Sequence, residues 1–251
     1  YEIIDQANLE IPGINKNIND SLSKSGSKSI TIPLGTTSIK NKINSFTIII
    51  RSYTFGDVDD KKVMLDQNKQ RIYEFPKIEY TLRTIKSIIR SCEYSKEFFK
   101  DLDIKIIITD DKSSQDNLNK IKSLLDSTSL ETQIINLEEN EFENEIKSKD
   151  INGKDISKNM TSNMRNILKS IQISQKESSD LFYFLEDDYI HASHAITEIL
   201  FTYEKLSSQL DRELFLCPAD YPYLYSNIED TKILIGNKSH WRTVKESLIT
   251  F

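Results

Sequence analysis

The 251-residue sequence predicts an α/β fold, a mostly parallel β-sheet flanked by helices in one main domain. Short runs of apolar and β-branched residues, typical of buried strands, recur along the chain. Segments with apolar residues three or four positions apart, typical of amphipathic helices, separate these runs. Helices between successive strands favour parallel pairing, because a parallel connection needs a crossover that returns the chain to the same edge of the sheet.

The first predicted strand is FTIII at 46–50, a β-branched run suited to burial on both faces. Residues 1–45, rich in Asn, Ser and Lys, predict an irregular leader with one short strand near 29–33. A polar insertion at 56–79 then leads into the first helix. The apolar positions of that helix are Leu82, Ile85, Ile88, Ile89 and Cys92.

The second strand is DIKIIITDD at 103–111, and Ser114 in the following KSSQD segment is the predicted N-cap of the next helix. That helix carries Leu118, Ile121, Leu124 and Leu125. TQIINL at 132–137 is the third strand, followed by an acidic, solvated connection that contains Gly153.

A long helix is predicted at 159–176, and LFYFL at 181–185 is the fourth strand. The apolar residues of the long helix lie on one stripe, formed by Met160, Met164, Ile167, Leu168 and Ile171. A further helix is predicted at 193–206, and the segments LFLCPAD at 214–220 and KILIGN at 232–237 are predicted late strands.

Charge and composition exclude several classes of protein. The net charge of −6 gives no sign of a nucleic-acid-binding protein. The sequence contains no apolar run of about 18 residues, the length that a membrane-spanning helix needs. Cys92 and Cys217 form neither a disulfide scaffold nor a metal knuckle, and we expect both to be buried. We expect a cytoplasmic protein; peripheral association with the cytoplasmic face of a membrane and further domains of a longer chain remain open.

Acidic residues cluster where predicted strands end. Asp110 and Asp111 follow the second strand, and Glu186, Asp187 and Asp188 follow the fourth. In parallel sheets these ends lie along one edge, where ligands bind. Converging carboxylates repel one another, and a hard cation such as Mg²⁺ or Mn²⁺, completed by phosphate oxygens, would relieve that repulsion. The alternative is that these acids are solvated and cap the next helix.

Three segments together resemble the nucleotide-sugar domain of GT-A glycosyltransferases, especially family 2. They are TIIIRSYT, IKIIITDDKSSQD and NMTSNMRNILKSIQISQKESSDLFYFLEDDYI. The resemblance covers Phe46 to Ile190 in order and spacing, and the tail from 191 matches only loosely. It implies a GT-A-like (Rossmann-like) fold with a leader at 1–45, a nucleotide-sugar-binding half at 46–190 and an acceptor-side half at 191–251, whose truncation stays open.

The resemblance also implies roles in donor binding. Tyr53 would lie against the nucleotide base, and Asp110 would accept a hydrogen bond from uracil N3–H, which favours a UDP-linked donor. Asp111 would hold the turn or contact ribose. Arg165 would lie near the diphosphate, where a cation offsets developing charge.

In the acidic triplet, the resemblance places Asp187 near the sugar or ribose and makes Asp188 the metal ligand. Two residues depart from the family pattern. Glu186 replaces the usual first Asp, and its longer side chain would reach the ribose or a water molecule. Arg51 stands where the family has a small residue, which changes the contact with the base.

An inverting enzyme also needs a carboxylate to accept the proton of the acceptor hydroxyl. Asp220 is the candidate, because it follows a predicted late strand and lies among tyrosines typical of sugar platforms. A turn-forming role before Pro222 is the alternative, and Glu229 and Asp230 are weaker candidates. His240 would supply a further metal ligand beside Trp241, or form a packed structural pair with it.

The sequence therefore predicts a metal-dependent glycosyltransferase that moves a sugar from a nucleotide-sugar donor to a glycan or other hydroxyl acceptor, with inversion. Two alternatives stay open. One is a glycosyltransferase-like module that binds carbohydrate or a partner without turnover. The other is a metal-dependent phosphohydrolase or receiver-like domain centred on Asp110 and Asp111.

Overall fold

The structure is a computed structural model, which describes residues 38–54, 75–149, 152–219 and 232–244. Within these ranges, residues 43–197 form one compact unit, and residues 38–42 with 198–244 form a second. The predicted leader strand near 29–33, the tyrosine-rich segment and Asp220 lie outside the described residues.

The predicted strands and helices from 46 to 206 are confirmed, with boundaries shifted by a few residues. The strands of the first unit are β1 Ser45–Ser52, β2 Asp103–Asp110, β3 Glu131–Asn136 and β4 Leu181–Glu186. Its helices are α1 Lys77–Ser95, α2 Gln115–Leu125 and α3 Lys158–Lys176. Helix α4 spans Ala195–Leu210, and two short strands follow, β5 Ile233–Ile235 and β6 His240–Arg242.

The four long strands form one parallel sheet in the order β3-β2-β1-β4. This α/β arrangement is compatible with a Rossmann-like fold. The central strands are apolar and buried on both faces, as expected for a sheet covered by helices. The register pairs Arg51 of β1 with Glu186 of β4, and Ser52 of β1 with Asp110 of β2. The polar residues at the carboxyl ends of three strands are therefore neighbours.

Helices α1 and α2 follow their sequence patterns. Helix α1 buries the apolar positions Ile78, Ile85, Ile88, Ile89 and Cys92. Helix α2 buries Ile121 and Leu125 and begins at the predicted cap, where the Ser114 hydroxyl accepts a hydrogen bond from the Asn117 amide at 3.3 Å.

Helix α3 differs from the pattern. Met160, Met164 and Ile171 of its apolar stripe are each more than one-third exposed. The residues that it buries in the site are polar, namely Ser162, Arg165, Asn166 and Ser170. The reason is that this part of the helix packs against polar groups. The strand ends and the β3–α3 connection offer carbonyl and carboxylate oxygens, which need hydrogen-bond donors rather than apolar side chains.

In the second unit, a buried carboxylate organises the β5–β6 hairpin. Glu198 of α4 accepts hydrogen bonds from the main-chain amides of residues 237–239 and from the Trp241 indole. A Cβ atom at Gly236 would lie 2.2 Å from a Glu198 carboxylate oxygen, so this close approach requires glycine. The predicted strand at 232–237 is confirmed as β5, whereas β6 was not predicted.

Two predictions about the tail are wrong. Residues 214–219, the described part of LFLCPAD, form no strand, and Phe215 is almost fully exposed. Pro218 lacks the N–H that a strand ladder needs. Cys217 is exposed, although Cys92 is buried as predicted. Among the described residues, no helix combines the length and apolarity needed to cross a bilayer.

Candidate functional site

The candidate site is the carboxyl-terminal edge of the sheet in the first unit. Strand β1 ends with Arg51 and Ser52, β2 ends at Asp110, and β4 ends at Glu186. Because the strands are parallel and in register, these ends lie side by side. Helix α3 supplies Arg165 and Asn166 to the same edge, through contacts with Asp111 and with the Ser52 carbonyl.

Arg51 and Glu186, the two residues that depart from the GT-A pattern, form an ion pair with each other. Arg51 Nη2 donates a hydrogen bond to Glu186 Oε1 at 2.9 Å, and Arg51 Nη1 donates to Asn163 Oδ1 at 3.4 Å. The Arg51 side chain is 8% exposed and that of Glu186 is 37% exposed. Burial lowers the pKa of Arg51, and the Glu186 carboxylate opposes this effect. A longer acid on β4 thus matches a cation on the neighbouring position of β1.

Burial also sets the protonation tendency of Glu186. It raises the pKa of this carboxyl, while Arg51 opposes the rise and Asp188 adds to it. Because Arg51 engages one oxygen and the side chain is partly exposed, the other oxygen is available to a hydroxyl group of a ligand.

Asp187 is held by three donors from two segments. Its carboxylate accepts hydrogen bonds from the Thr81 hydroxyl at 2.8 Å and from the Tyr53 amide at 3.4 Å. Lys77 Nζ lies 2.6 Å from Asp187 Oδ1. With 7% of its side chain exposed, Asp187 links β4, the end of β1 and the start of α1, and its predicted contact with a sugar stays a prediction.

Asp188 is open to solvent to about the same extent as Glu186, whereas Asp187 is buried. The Asp188 side chain is 34% exposed, and Lys77 Nζ lies 3.5 Å from its Oδ2 atom. Magnesium and manganese accept one or two carboxylates and complete their shells with phosphate oxygens and water. Asp188 therefore fits a cation that arrives with a phosphate ligand. Among the described residues, no group of three or more His, Cys, Asp or Glu side chains could hold a metal by itself.

Asp110 is buried in a tight turn after β2. Its carboxylate accepts hydrogen bonds from the Ser113 amide at 3.0 Å and from the Ser113 hydroxyl at 2.5 Å. Burial raises the pKa of Asp110, and the hydrogen bonds from Ser113 oppose the rise. Lys112, inside this turn, has a φ of 71°, a backbone conformation that favours glycine. Ser113 thus fixes the orientation in which Asp110 would face a base.

Arg165 is buried and directed at protein acceptors. Its Nη1 lies 3.3 Å from Asp111 Oδ1, its Nε donates to the Glu141 carbonyl at 3.0 Å, and its Nη2 donates to the Glu138 carbonyl. These contacts fasten the β3–α3 connection to the turn after β2. The described contacts assign Arg165 to this turn and connection, and its role at a diphosphate stays a prediction.

Four buried polar atoms near this edge have no hydrogen-bond partner within the described part of the chain. They are Arg51 Nε, Ser52 Oγ, Ser162 Oγ and Asn166 Oδ1. Buried polar groups are normally satisfied by protein or water, so unpaired donors and acceptors beside a sheet edge are typical of a site for a polar ligand.

The remaining predicted residues lie in different surroundings. Tyr53 is half-buried directly after β1, as expected for a residue that would contact a base. His240 is exposed and lies in β6 of the second unit. Asp220 lies outside the described residues.

Sequence reasoning missed Lys77. The predicted insertion at 56–79 included it, whereas α1 begins at this residue. The sequence did contain an indication of its role. A lysine in the first turn of a helix faces the positive end of the helix dipole, so a nearby negative charge is expected to offset it. Here that charge comes from Asp187 and Asp188.

A cavity of about 660 Å³ lies away from this edge. It is lined by the amino-terminal ends of β1, β2 and β3, including Lys105 and Glu131, and by Glu177 after α3. Lys105 forms ion pairs with both glutamates. None of the predicted site residues lines this cavity, so it provides control positions for mutagenesis.

Searches of family models, curated proteins and solved structures found no match to this chain. The functional argument therefore depends on the geometry of the sheet edge and on the sequence pattern.

Proposed function

We propose that the protein is a GT-A-type glycosyltransferase that transfers a sugar from a UDP-linked donor to a glycan or other hydroxyl acceptor. The observation that carries the proposal is the convergence of four segments at one sheet edge: the ends of β1, β2 and β4 and the polar face of α3. These segments resemble, in order and spacing along the chain, those of a nucleotide-sugar domain.

In this proposal, the turn after β2 and the end of β1 bind the nucleoside. Asp110, oriented by Ser113, accepts the uracil N3–H, and Tyr53 lies against the base. The free oxygen of Glu186 accepts a ribose hydroxyl, while Arg51 holds its other oxygen. Asp111 and Arg165 hold the turn and the β3–α3 connection in place.

Asp188 would hold Mg²⁺ or Mn²⁺ together with the diphosphate. When bound, the cation would stabilise the negative charge that grows on the leaving diphosphate. Asp220 would accept the proton of the attacking hydroxyl, which an inverting displacement requires.

One alternative has structural support. Arg51 and Lys77 already neutralise part of the acidic triplet, and the described contacts of Arg165 go to protein acceptors. A module that binds a nucleotide or carbohydrate without turnover would have this character. A phosphohydrolase centred on Asp110 is less favoured, because no described contact marks this carboxylate as a nucleophile, and both its oxygens accept hydrogen bonds from Ser113.

The test is release of UDP from a panel of UDP-hexoses in the presence of Mn²⁺, measured by chromatography. The wild type should release UDP, and Asp188→Asn should reduce the rate by about 100-fold or more. The matched control is Asp103→Asn, an exposed aspartate at the opposite end of β2, which should leave the rate unchanged.

A thermal-shift measurement separates the two candidate functions. Stabilisation by UDP with Mn²⁺, but no release of UDP from any donor, would favour the binding module. Absence of any stabilisation by UDP would contradict the proposed nucleotide site itself.

A further inference from the structure

We propose that Lys77 is an internal counter-cation that keeps divalent metal ions away from Asp188 until a diphosphate binds. The inference depends on the proposed function only in taking Asp188 as the cation ligand. It assigns a role to a residue outside the predicted site.

Lys77 lies beside the carboxylate that a metal ion would use. Its ammonium lies 2.6 Å from Asp187 and 3.5 Å from Asp188, so it bridges the two adjacent carboxylates. Its side chain is only 17% exposed, which limits the distance it can retreat into solvent while α1 stays in place.

The position of Lys77 in α1 indicates that the contact matters. A cation at a helix amino terminus faces the positive end of the helix dipole, which is unfavourable. The negative charge of Asp187, which also accepts a hydrogen bond from Thr81 one turn later, offsets this. Helix α1 therefore begins on the carboxylates through two side chains of the same helix face.

A divalent ion on Asp188 would lie close to this ammonium. Like charges a few ångströms apart repel strongly when partly removed from water, so metal binding to the donor-free protein must displace Lys77 or bear that repulsion. A diphosphate changes the balance, because its oxygens offer Lys77 another counter-ion and also ligate the metal. Metal and diphosphate should therefore bind together rather than one after the other.

The test measures binding of Mn²⁺ alone, without nucleotide, by electron paramagnetic resonance of the free ion. Lys77→Met should bind Mn²⁺ at least about tenfold more tightly than the wild type. Lys77→Arg, which keeps the charge, should bind as weakly as the wild type. Lys105→Met is the matched control, because it removes a lysine that also bridges two carboxylates but lies at the opposite edge of the sheet.

The gain must occur at Asp188. In the Lys77→Met background, Asp188→Asn should remove it, and in the wild type Asp188→Asn should change the already weak binding little. Equal Mn²⁺ affinity in Lys77→Met and wild type would overturn the proposal, as would a gain that persists without Asp188. Thermal unfolding checks that each variant is folded.

The wild type and Asp188→Asn suffice if Lys77→Met does not fold. Tight Mn²⁺ binding by the nucleotide-free wild type that Asp188→Asn abolishes would refute the role of Lys77. Weak binding by the nucleotide-free wild type that becomes tight when UDP is added, and that Asp188→Asn then abolishes, would support it. The result is independent of UDP release. A tight manganese site in Lys77→Met, together with no release of UDP by the wild type, would leave this inference standing and count against the transferase.

Discussion

The ion pair between Arg51 and Glu186 should contribute measurably to the stability of the candidate site. The two side chains come from neighbouring strands, and Arg51 is almost fully buried. Removing either partner leaves the other without its counter-charge, which is costly in proportion to its burial. Glu186→Gln, which strands the buried guanidinium, should therefore destabilise the protein at least as much as Arg51→Met.

The structure sets the magnitude. At the observed separation of 2.9 Å, the attraction is about 1.4 kcal/mol in water and about 6 kcal/mol at an effective dielectric constant of about 20. Because Glu186 is one-third exposed, the effective value lies towards the lower end. We expect a coupling free energy of about 2 kcal/mol, within the range measured for contacting residues.

The assay is a double-mutant cycle with Arg51→Met, Glu186→Gln and the double variant. Urea unfolding at pH 7 gives the free energy of unfolding of each protein. The exposed pair Lys122 and Asp126 on α2 is the control, and its coupling should not exceed about 0.5 kcal/mol. A coupling for Arg51 and Glu186 no larger than that of the control would refute the compensated-pair interpretation.

Two further predictions concern the hairpin of the second unit and the turn after β2. Burial would raise the pKa of Glu198, but hydrogen bonds from Lys238, Trp241 and nearby amides outweigh it and lower the pKa. The stabilisation is therefore present above the ordinary glutamate pKa of 4.5 and is lost as the pH falls towards the lower folded value. Glu198→Gln should lower the free energy of unfolding by about 2 kcal/mol at pH 7 and by progressively less below pH 4.5. Urea unfolding followed by the fluorescence of Trp241, the only tryptophan, measures this difference. A difference between variant and wild type that is constant with pH would contradict the prediction. Lys112→Gly should leave stability unchanged or higher, because it relieves the left-handed backbone at φ 71°, whereas Lys120→Gly within α2 should cost about 1 kcal/mol. Equal losses of unfolding free energy at the two positions would contradict the turn geometry.

The sheet could be predicted because its strands are almost uninterrupted apolar runs separated by helical patterns. Ile48–Ile50 and Ile106–Ile108 are short, continuous β-branched runs, which are typical of strands buried on both faces. Their alternation with amphipathic helices favours a parallel sheet. The convergence of Asp110 and Glu186 at one edge also follows from parallel strands, which place all carboxyl ends together.

The pairing of charges could not be predicted in the same way. That Arg51 meets Glu186 depends on strand order and register, which bring β1 beside β4 although residues 53–180 lie between the two strands in the sequence. The inverted burial of α3 has the same origin. Its stripe of Met160, Met164 and Ile171 predicts an apolar face, but the strand ends that Arg165 and Asn166 contact are polar. Only further along the helix does an apolar residue, Ile173, pack against the sheet.

The charge balance of the edge explains why a cation and a diphosphate would bind together. Five carboxylates, at Asp110, Asp111 and the triplet 186–188, stand against the cations Arg51, Lys77 and Arg165. In formal terms, two negative charges remain uncompensated. A diphosphate alone would add to this charge and be repelled, whereas a divalent cation alone would meet Lys77 at Asp188. Only their joint arrival supplies both a counter-ion for the edge and a counter-ion for Lys77, so the internal ion pairs favour binding of the complex over either component.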